Sequence, residues 1–69
     1  GKKVNRFKLE RLEEEIFALE ESLEESREAQ ASPRVYQDRE RSKALDREIG
    51  ALQERLDSLY REWEEVGGA

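Results

Sequence analysis

Several residue types that supply chemistry in other proteins are missing from this chain. It contains no cysteine and no histidine, which excludes disulfides and thiolate metal sites and removes the commonest metal ligand and general base. No apolar run approaches the roughly 20 residues of a membrane-spanning helix, and no Gly-rich phosphate loop of the G-x-x-x-x-G-K-[ST] kind is present. We therefore expect a non-enzymatic, cytoplasmic chain that contacts no membrane and needs no metal or cofactor.

Charged residues dominate the composition of the chain. Of the 69 residues, 45% are charged and 35% are hydrophobic, which leaves too little apolar surface for a multilayer core. The many glutamates are expected on solvated helix faces, because a thin rod offers no dry, concave site for a catalytic carboxylate pair. Since the chain begins with Gly1 and has no methionine, we expect a single domain excised from a longer protein.

Two apolar series repeat with the spacing of a coiled coil. Their members are three and four residues apart in alternation, which is the heptad pattern of a helix packed against a partner helix. The upstream series is Leu9, Leu12, Ile16, Leu19 and Leu23, and the downstream series is Leu45, Ile49, Leu52, Leu56, Leu59, Trp63 and Val66. The sequence therefore predicts an all-α fold, an antiparallel two-helix coiled-coil hairpin with a short helical turn in the connection.

Capping residues predict where the helices begin. Asn5 can cap helix one, and Ser32 followed by Pro33 at a first helical position starts a short turn in the connection. Asp38 offers a second cap for the long downstream helix. The predicted elements are helix one over about residues 5–30, a connection over 31–38 and helix two over about 39–66.

The two series also predict a register. In an antiparallel hairpin, facing residues have numbers of constant sum, and Leu23 with Leu45 totals 68, as do four further apolar pairs. This register sets Trp63 opposite Asn5, where the indole would close one end of the core. Tyr36 is predicted to close the loop end.

Three residues are not explained by the apolar series. Phe7 and Phe17 fall at outward heptad positions, and Phe17 is either a surface aromatic or a docking residue for the parent protein or a second hairpin. Gly50 lies inside helix two, where glycine costs about 1 kcal/mol relative to alanine. One interpretation of Gly50 is a close approach of another element.

Basic residues gather at the two ends of the predicted hairpin. The net charge of −5 is made of alternating blocks: +4 over residues 1–11, −7 over 12–30, +2 over 31–47 and −4 over 48–69. Such cations bind phosphate backbones with strong salt dependence and little sequence preference. The alternative is neutralisation by the facing glutamate blocks. The loop-end cluster is Arg34, Arg39, Arg41, Lys43 and Arg47, and the open-end cluster is Lys2, Lys3, Arg6 and Lys8.

Three sequence blocks, taken in order, resemble a known family. Residues 2–5 read Lys-Lys-Val-Asn and are followed by the Leu- and Glu-rich residues 8–16, residues 32–38 read Ser-Pro-Arg-Val-Tyr-Gln-Asp, and residues 59–65 read Leu-Tyr-Arg-Glu-Trp-Glu-Glu. Together they resemble the C-terminal coiled-coil domain of ABC-F ATPases, ATP-binding-cassette proteins that lack membrane spans. The chain departs from that pattern at residues 5–7, where Asn-Arg-Phe stands in place of Asn-Pro-Tyr.

The resemblance implies a non-catalytic tail that follows two ATPase cassettes of the same polypeptide. Such tails are associated with DNA in one branch of the family and with ribosomal RNA in others, so it implies DNA or RNA binding, or ribosome association, through the basic residues. The alternative is a protein-interaction or dimerisation strut that positions the cassettes. The coiled-coil arm of an aminoacyl-tRNA synthetase is a further alternative, which the blocks around Tyr36 and Trp63 disfavour. We expect the isolated domain to be a monomer.

Overall fold

The fold is a helical hairpin. A computed structural model describes residues 5–67, which form α1 (Arg6–Gln30), α2 (Pro33–Tyr36) and α3 (Arg39–Gly67). The two long helices pack against each other, and α2 contacts both from the connection. The Cα atoms span 55 × 14 × 12 Å, so the molecule is a rod, and the predicted fold class is confirmed. Within residues 5–67, no helix combines the length and the apolar character needed to cross a membrane.

The predicted helix caps are confirmed. The Asn5 side-chain oxygen accepts a hydrogen bond from the Lys8 amide at 3.0 Å, which satisfies a donor that has no partner inside the helix. Ser32 caps α2 through its extended backbone conformation, without a side-chain hydrogen bond. The Asp38 carboxylate accepts from the amides two and three residues further on, at 3.1 and 3.2 Å. Side-chain caps therefore start α1 and α3, and Pro33 in the first turn starts α2.

The core lies in the half of the rod that contains the free ends of α1 and α3. Four side chains are buried there, and Leu59 is the most deeply buried, with 1% of its surface exposed. The other three are Leu12, Ile16 and Leu56, and Leu19, Leu23 and Val66 pack against the group. Towards the connection, Leu45, Ile49 and Leu52 are only half-buried. The apolar seam is therefore best packed in the half of the rod nearer the open end, just inside the half-buried Leu9 and Val66.

The predicted register is wrong by one heptad. Near the connection, the Gln30 side-chain amide donates to the Asp46 carboxylate. At the other end, a Leu9 methyl lies 3.0 Å from the place where a β-carbon on Gly67 would stand. Both pairs total 76, one residue past facing positions that total 75, such as Leu9 with Val66. The predicted register totals 68 and would set Leu9 opposite Leu59. Because a shift of seven residues returns every heptad position to the same face, apolar residues still meet apolar residues.

The connection accounts for this shift. The α2 turn stands between the long helices and packs against α3, so the first turns of α3 lie beyond the end of α1. The shifted register keeps five apolar layers, because Val66 now faces Leu9 at the open end. Val66 packs on the core accordingly, while Ser26, buried with 8% exposure, comes opposite Ile49 rather than Ser42. The predicted register would have set Ser26 opposite Ser42, so a layer of two serines is replaced by a layer that contains one.

Three further predictions about single residues are wrong. The Trp63 indole does not close the end opposite Asn5 but donates to Glu13 at 3.4 Å on the flank of the rod. Tyr36 does not close the loop end, since 58% of its surface is exposed. Gly50 marks no close approach, because a β-carbon added there would meet nothing within 4 Å.

Candidate nucleic-acid interface

The loop-end cluster lies on α2 and the first turns of α3. All five of its side chains are exposed. Residues 39, 43 and 47 follow each other at intervals of four, which aligns them along one face of α3. Arg41, Lys43 and Arg47 line one shallow depression together with Glu40 and Ala44. The structure therefore brings three of the predicted cations onto a single surface, with Arg39 in the same helical row and Arg34 on the neighbouring short helix.

The predicted neutralisation of this cluster by the acidic part of α1 is not formed. Arg41 pairs locally with the capping Asp38, its Nε lying 3.7 Å from the carboxylate. The shifted register sets the glutamates of residues 21–28 alongside residues 47–54 rather than 39–47. Within residues 5–67, no ion pair joins those glutamates to the loop-end cluster. Arg39 and Lys43 therefore stand past the acidic block, where a phosphate can approach them.

The open-end cluster has carboxylates of both long helices beside it. Lys2 and Lys3 lie outside the described residues, and Arg6 and Lys8 are exposed. Lys8 lines a groove between the two long helices that also holds Arg11, Arg55, Glu15 and Glu62. The Arg55 guanidinium lies 3.4 Å from the Glu15 carboxylate. Carboxylates therefore offset much of the positive charge in this groove, in agreement with the alternative of neutralisation by facing glutamates.

The structure keeps the two predicted clusters apart. The loop-end cluster lies at the connection, and Arg6 and Lys8 lie at the start of α1, towards the opposite end of a rod whose Cα atoms span 55 Å. A single phosphate group cannot contact both. They are two independent candidate surfaces, and the loop-end cluster is the less neutralised.

Sequence reasoning missed a third surface, on the flank of the rod. Phe17, Tyr60 and Trp63 line one depression together with Glu13, Ile16 and Glu20. The Tyr60 hydroxyl donates to the Glu20 carboxylate at 2.8 Å, and this hydrogen bond raises the pKa of Tyr60 above its usual value, with smaller contributions from desolvation and the charge of Glu20. The signal that would have revealed this surface is the correct register, because only that register brings the three aromatic residues together.

A comparison with known families identifies the family to which this chain belongs. A family model described as the ABC transporter C-terminal domain matches residues 4–66, a range that includes both long helices and the connection. No curated protein and no solved structure matches the chain. The resemblance noted in the three sequence blocks is confirmed, and the chain belongs to the ABC transporter C-terminal domain family.

Proposed function

We propose that this hairpin is the non-catalytic, nucleic-acid-binding tail of an ABC-F ATPase, and that its loop-end cluster contacts the phosphates of DNA or ribosomal RNA. The observation behind the proposal is the position of Arg39 and Lys43 beyond the acidic block of α1, exposed and without an ion pair within residues 5–67. Membership of the family supports a tail role beside ATPase cassettes. The cassettes would hydrolyse ATP, and the hairpin would contact the nucleic acid.

The charge distribution favours an end-on contact. Residues 12–30 have a net charge of −7, so the long side of α1 repels a phosphate backbone, whereas the tip of the rod attracts it. Contacts to phosphates add affinity but do not recognise base sequence. The shape of the nucleic acid, rather than its sequence, would therefore determine which nucleic acids are preferred. If about four phosphates are neutralised, affinity falls roughly a hundredfold between about 50 and about 200 mM salt.

A charge-matched pair of double variants tests the proposal. Labelled DNA duplexes, DNA junctions and ribosomal RNA fragments are titrated with the chain at about 50 and about 200 mM salt. Arg39→Gln with Lys43→Gln should weaken binding about tenfold or more and lower the salt slope by about two. Arg27→Gln with Arg61→Gln changes the net charge equally, lies outside both clusters and should have much less effect.

The open-end cluster is ranked by the same titration. Arg6→Gln with Lys8→Gln should weaken binding less than the loop-end double variant, because carboxylates share the groove that contains Lys8. The proposal fails if the unaltered chain binds none of the nucleic acids at about 50 mM salt. It also fails if the loop-end and control double variants lose affinity equally, since that result would indicate a response to net charge alone.

One observation favours the alternative function, a protein-interaction or dimerisation strut that positions the cassettes. Phe17 is 65% exposed on the flank of the rod, and exposed apolar surface is one sign of a protein-interaction site. Sedimentation of the chain over a range of concentrations separates the two functions. A concentration-dependent dimer that Phe17→Ala abolishes would favour the strut.

A further inference from the structure

The flank that contains Phe17 is an aromatic surface without a partner within residues 5–67. Phe17 from α1 and Tyr60 and Trp63 from α3 are 65%, 42% and 38% exposed, although all three line one depression. Isolated exposed aromatics are ordinary, but several on one surface are typical of a protein interaction site. This surface lies beside the best-packed part of the core, because Ile16 forms part of the depression. Its backbone is therefore held in place before any partner binds.

Carboxylates surround these aromatic rings. Glu13 and Glu20 line the same depression, and Glu10 and Glu14 join Glu13 around Phe17 in an adjoining one. Neither depression is lined by a lysine or an arginine. We call this surface, made of Phe17, Tyr60, Trp63 and these four glutamates, the acidic aromatic face.

Two hydrogen bonds fix the carboxylates that lie between the helices. The Trp63 indole donates to Glu13 at 3.4 Å, and the Tyr60 hydroxyl donates to Glu20 at 2.8 Å. A carboxylate accepts several hydrogen bonds, so both retain acceptor positions for a further donor. Ring faces attract cations, and a guanidinium can stack on a ring while it donates to a neighbouring carboxylate. Arginine is the side chain that matches this combination.

We propose that the acidic aromatic face docks a basic amphipathic helix of a protein partner, with arginines against the carboxylates and rings and apolar side chains against Phe17. Glu13, Phe17 and Glu20 are four and three residues apart, the spacing at which a partner helix presents its own side chains. Nucleic acid is disfavoured because its phosphates would meet four carboxylates. A symmetric contact between two copies through this face would oppose glutamates to glutamates. The proposal uses a different surface from the loop-end cluster and does not rest on the proposed function.

A matched pair of phenylalanine variants tests the proposal. The probe is a labelled helical peptide with arginine and leucine at i, i+3, i+4 and i+7 spacing, compared with a scrambled peptide of the same composition. Phe17→Ala should weaken binding of the helical peptide about fivefold or more, as for a central aromatic contact. Phe7→Ala makes the same change at a side chain of similar exposure, 71%, which lines a different groove, and should change binding less than twofold. Circular dichroism checks that both variants stay helical.

A second pair of variants tests the charge requirement. Glu10→Gln with Glu14→Gln should weaken peptide binding more than Glu48→Gln with Glu54→Gln, which removes the same charge from residues outside both depressions. Equal losses within either matched pair would overturn the proposal, because binding would then not depend on this face. Equal binding of the scrambled peptide would also overturn it, because binding would then not depend on a helical arrangement of the partner's side chains. Loss of duplex DNA binding, or of self-association, in Phe17→Ala alone would assign the face to nucleic acid or to a second copy and would also overturn it.

Discussion

Replacing Leu59 with alanine tests where the core of the hairpin lies. Leu59 is 1% exposed in the best-packed half of the rod, whereas Leu45, near the connection, is half-buried. The register predicted from the sequence would put these two leucines at the two ends of the apolar seam, facing Leu9 and Leu23. That register gives both substitutions similar costs. The observed register makes the Leu59 substitution the more costly.

The size of the difference follows from burial. A buried Leu→Ala substitution costs about 2–5 kcal/mol, and the lower part of that range applies here because two helices can close partly on the space. Leu59→Ala should therefore cost about 2–3 kcal/mol, and Leu45→Ala about 1 kcal/mol, since part of the Leu45 surface already faces water. A chain of this length has a free energy of unfolding of roughly 3–10 kcal/mol. Leu59→Ala thus removes a large fraction of the stability.

Urea unfolding followed by far-ultraviolet circular dichroism measures both costs. The transition midpoint should fall further for Leu59→Ala than for Leu45→Ala, with the slope of the free energy against urea unchanged. Equal shifts of the two midpoints would refute the observed register. A larger shift for Leu45→Ala would refute the placement of the core at the open end.

Two further predictions concern single side chains. Gly50→Ala should stabilise the hairpin by about 0.5–1 kcal/mol, because the added methyl meets nothing within 4 Å. Gly67→Ala should gain less stability, since its methyl would lie 3.0 Å from Leu9. A lower melting temperature for Gly50→Ala would contradict this prediction. Tyr60→Phe removes the hydrogen bond to Glu20 and should lower the urea midpoint near neutral pH. Because the folded-state pKa of Tyr60 is raised, the stability that this hydroxyl contributes is fully present below its unfolded pKa of about 10 and is lost as pH rises through the folded pKa. The advantage of the unaltered chain over Tyr60→Phe should therefore shrink in strongly alkaline solution, and a constant difference would contradict the assignment.

The helices could be predicted from the sequence because local chemistry determines them. Asn5 and Asp38 form their capping hydrogen bonds with amides two or three residues away, and Pro33 fits a first helical turn wherever the rest of the chain lies. Alternating spacings of three and four give each long helix one apolar face. None of these signals depends on which residue of the other helix lies opposite.

The register could not be predicted because heptad spacing is periodic. A displacement of seven residues gives five apolar layers either way, with Val66 facing Leu9 in one register and Leu45 facing Leu23 in the other. The choice between them depends on the space that α2 occupies, which is a property of the folded connection. Apolar spacing alone therefore cannot distinguish the two registers.

The same limit explains what could be predicted of the candidate surfaces. The loop-end cations are neighbours in sequence, so their grouping could be predicted without the register. The acidic aromatic face joins Phe17 to Tyr60 and Trp63 across the hairpin, and the predicted register would have kept them apart. Surfaces formed by one segment are readable from sequence, whereas surfaces shared by two segments need the correct pairing.

The uneven core also has a mechanical consequence. The start of α1 and the end of α3 lie together, so a domain attached there would hold a 55 Å rod by one end, and α2 would be the tip of a lever. A small rotation at the base would then become a displacement of several ångströms at the tip. Leu12, Ile16 and Leu59 are buried in the half nearer the base, whereas the half near the connection is less tightly packed, so we expect the tip to open or bend at a lower free-energy cost than the base.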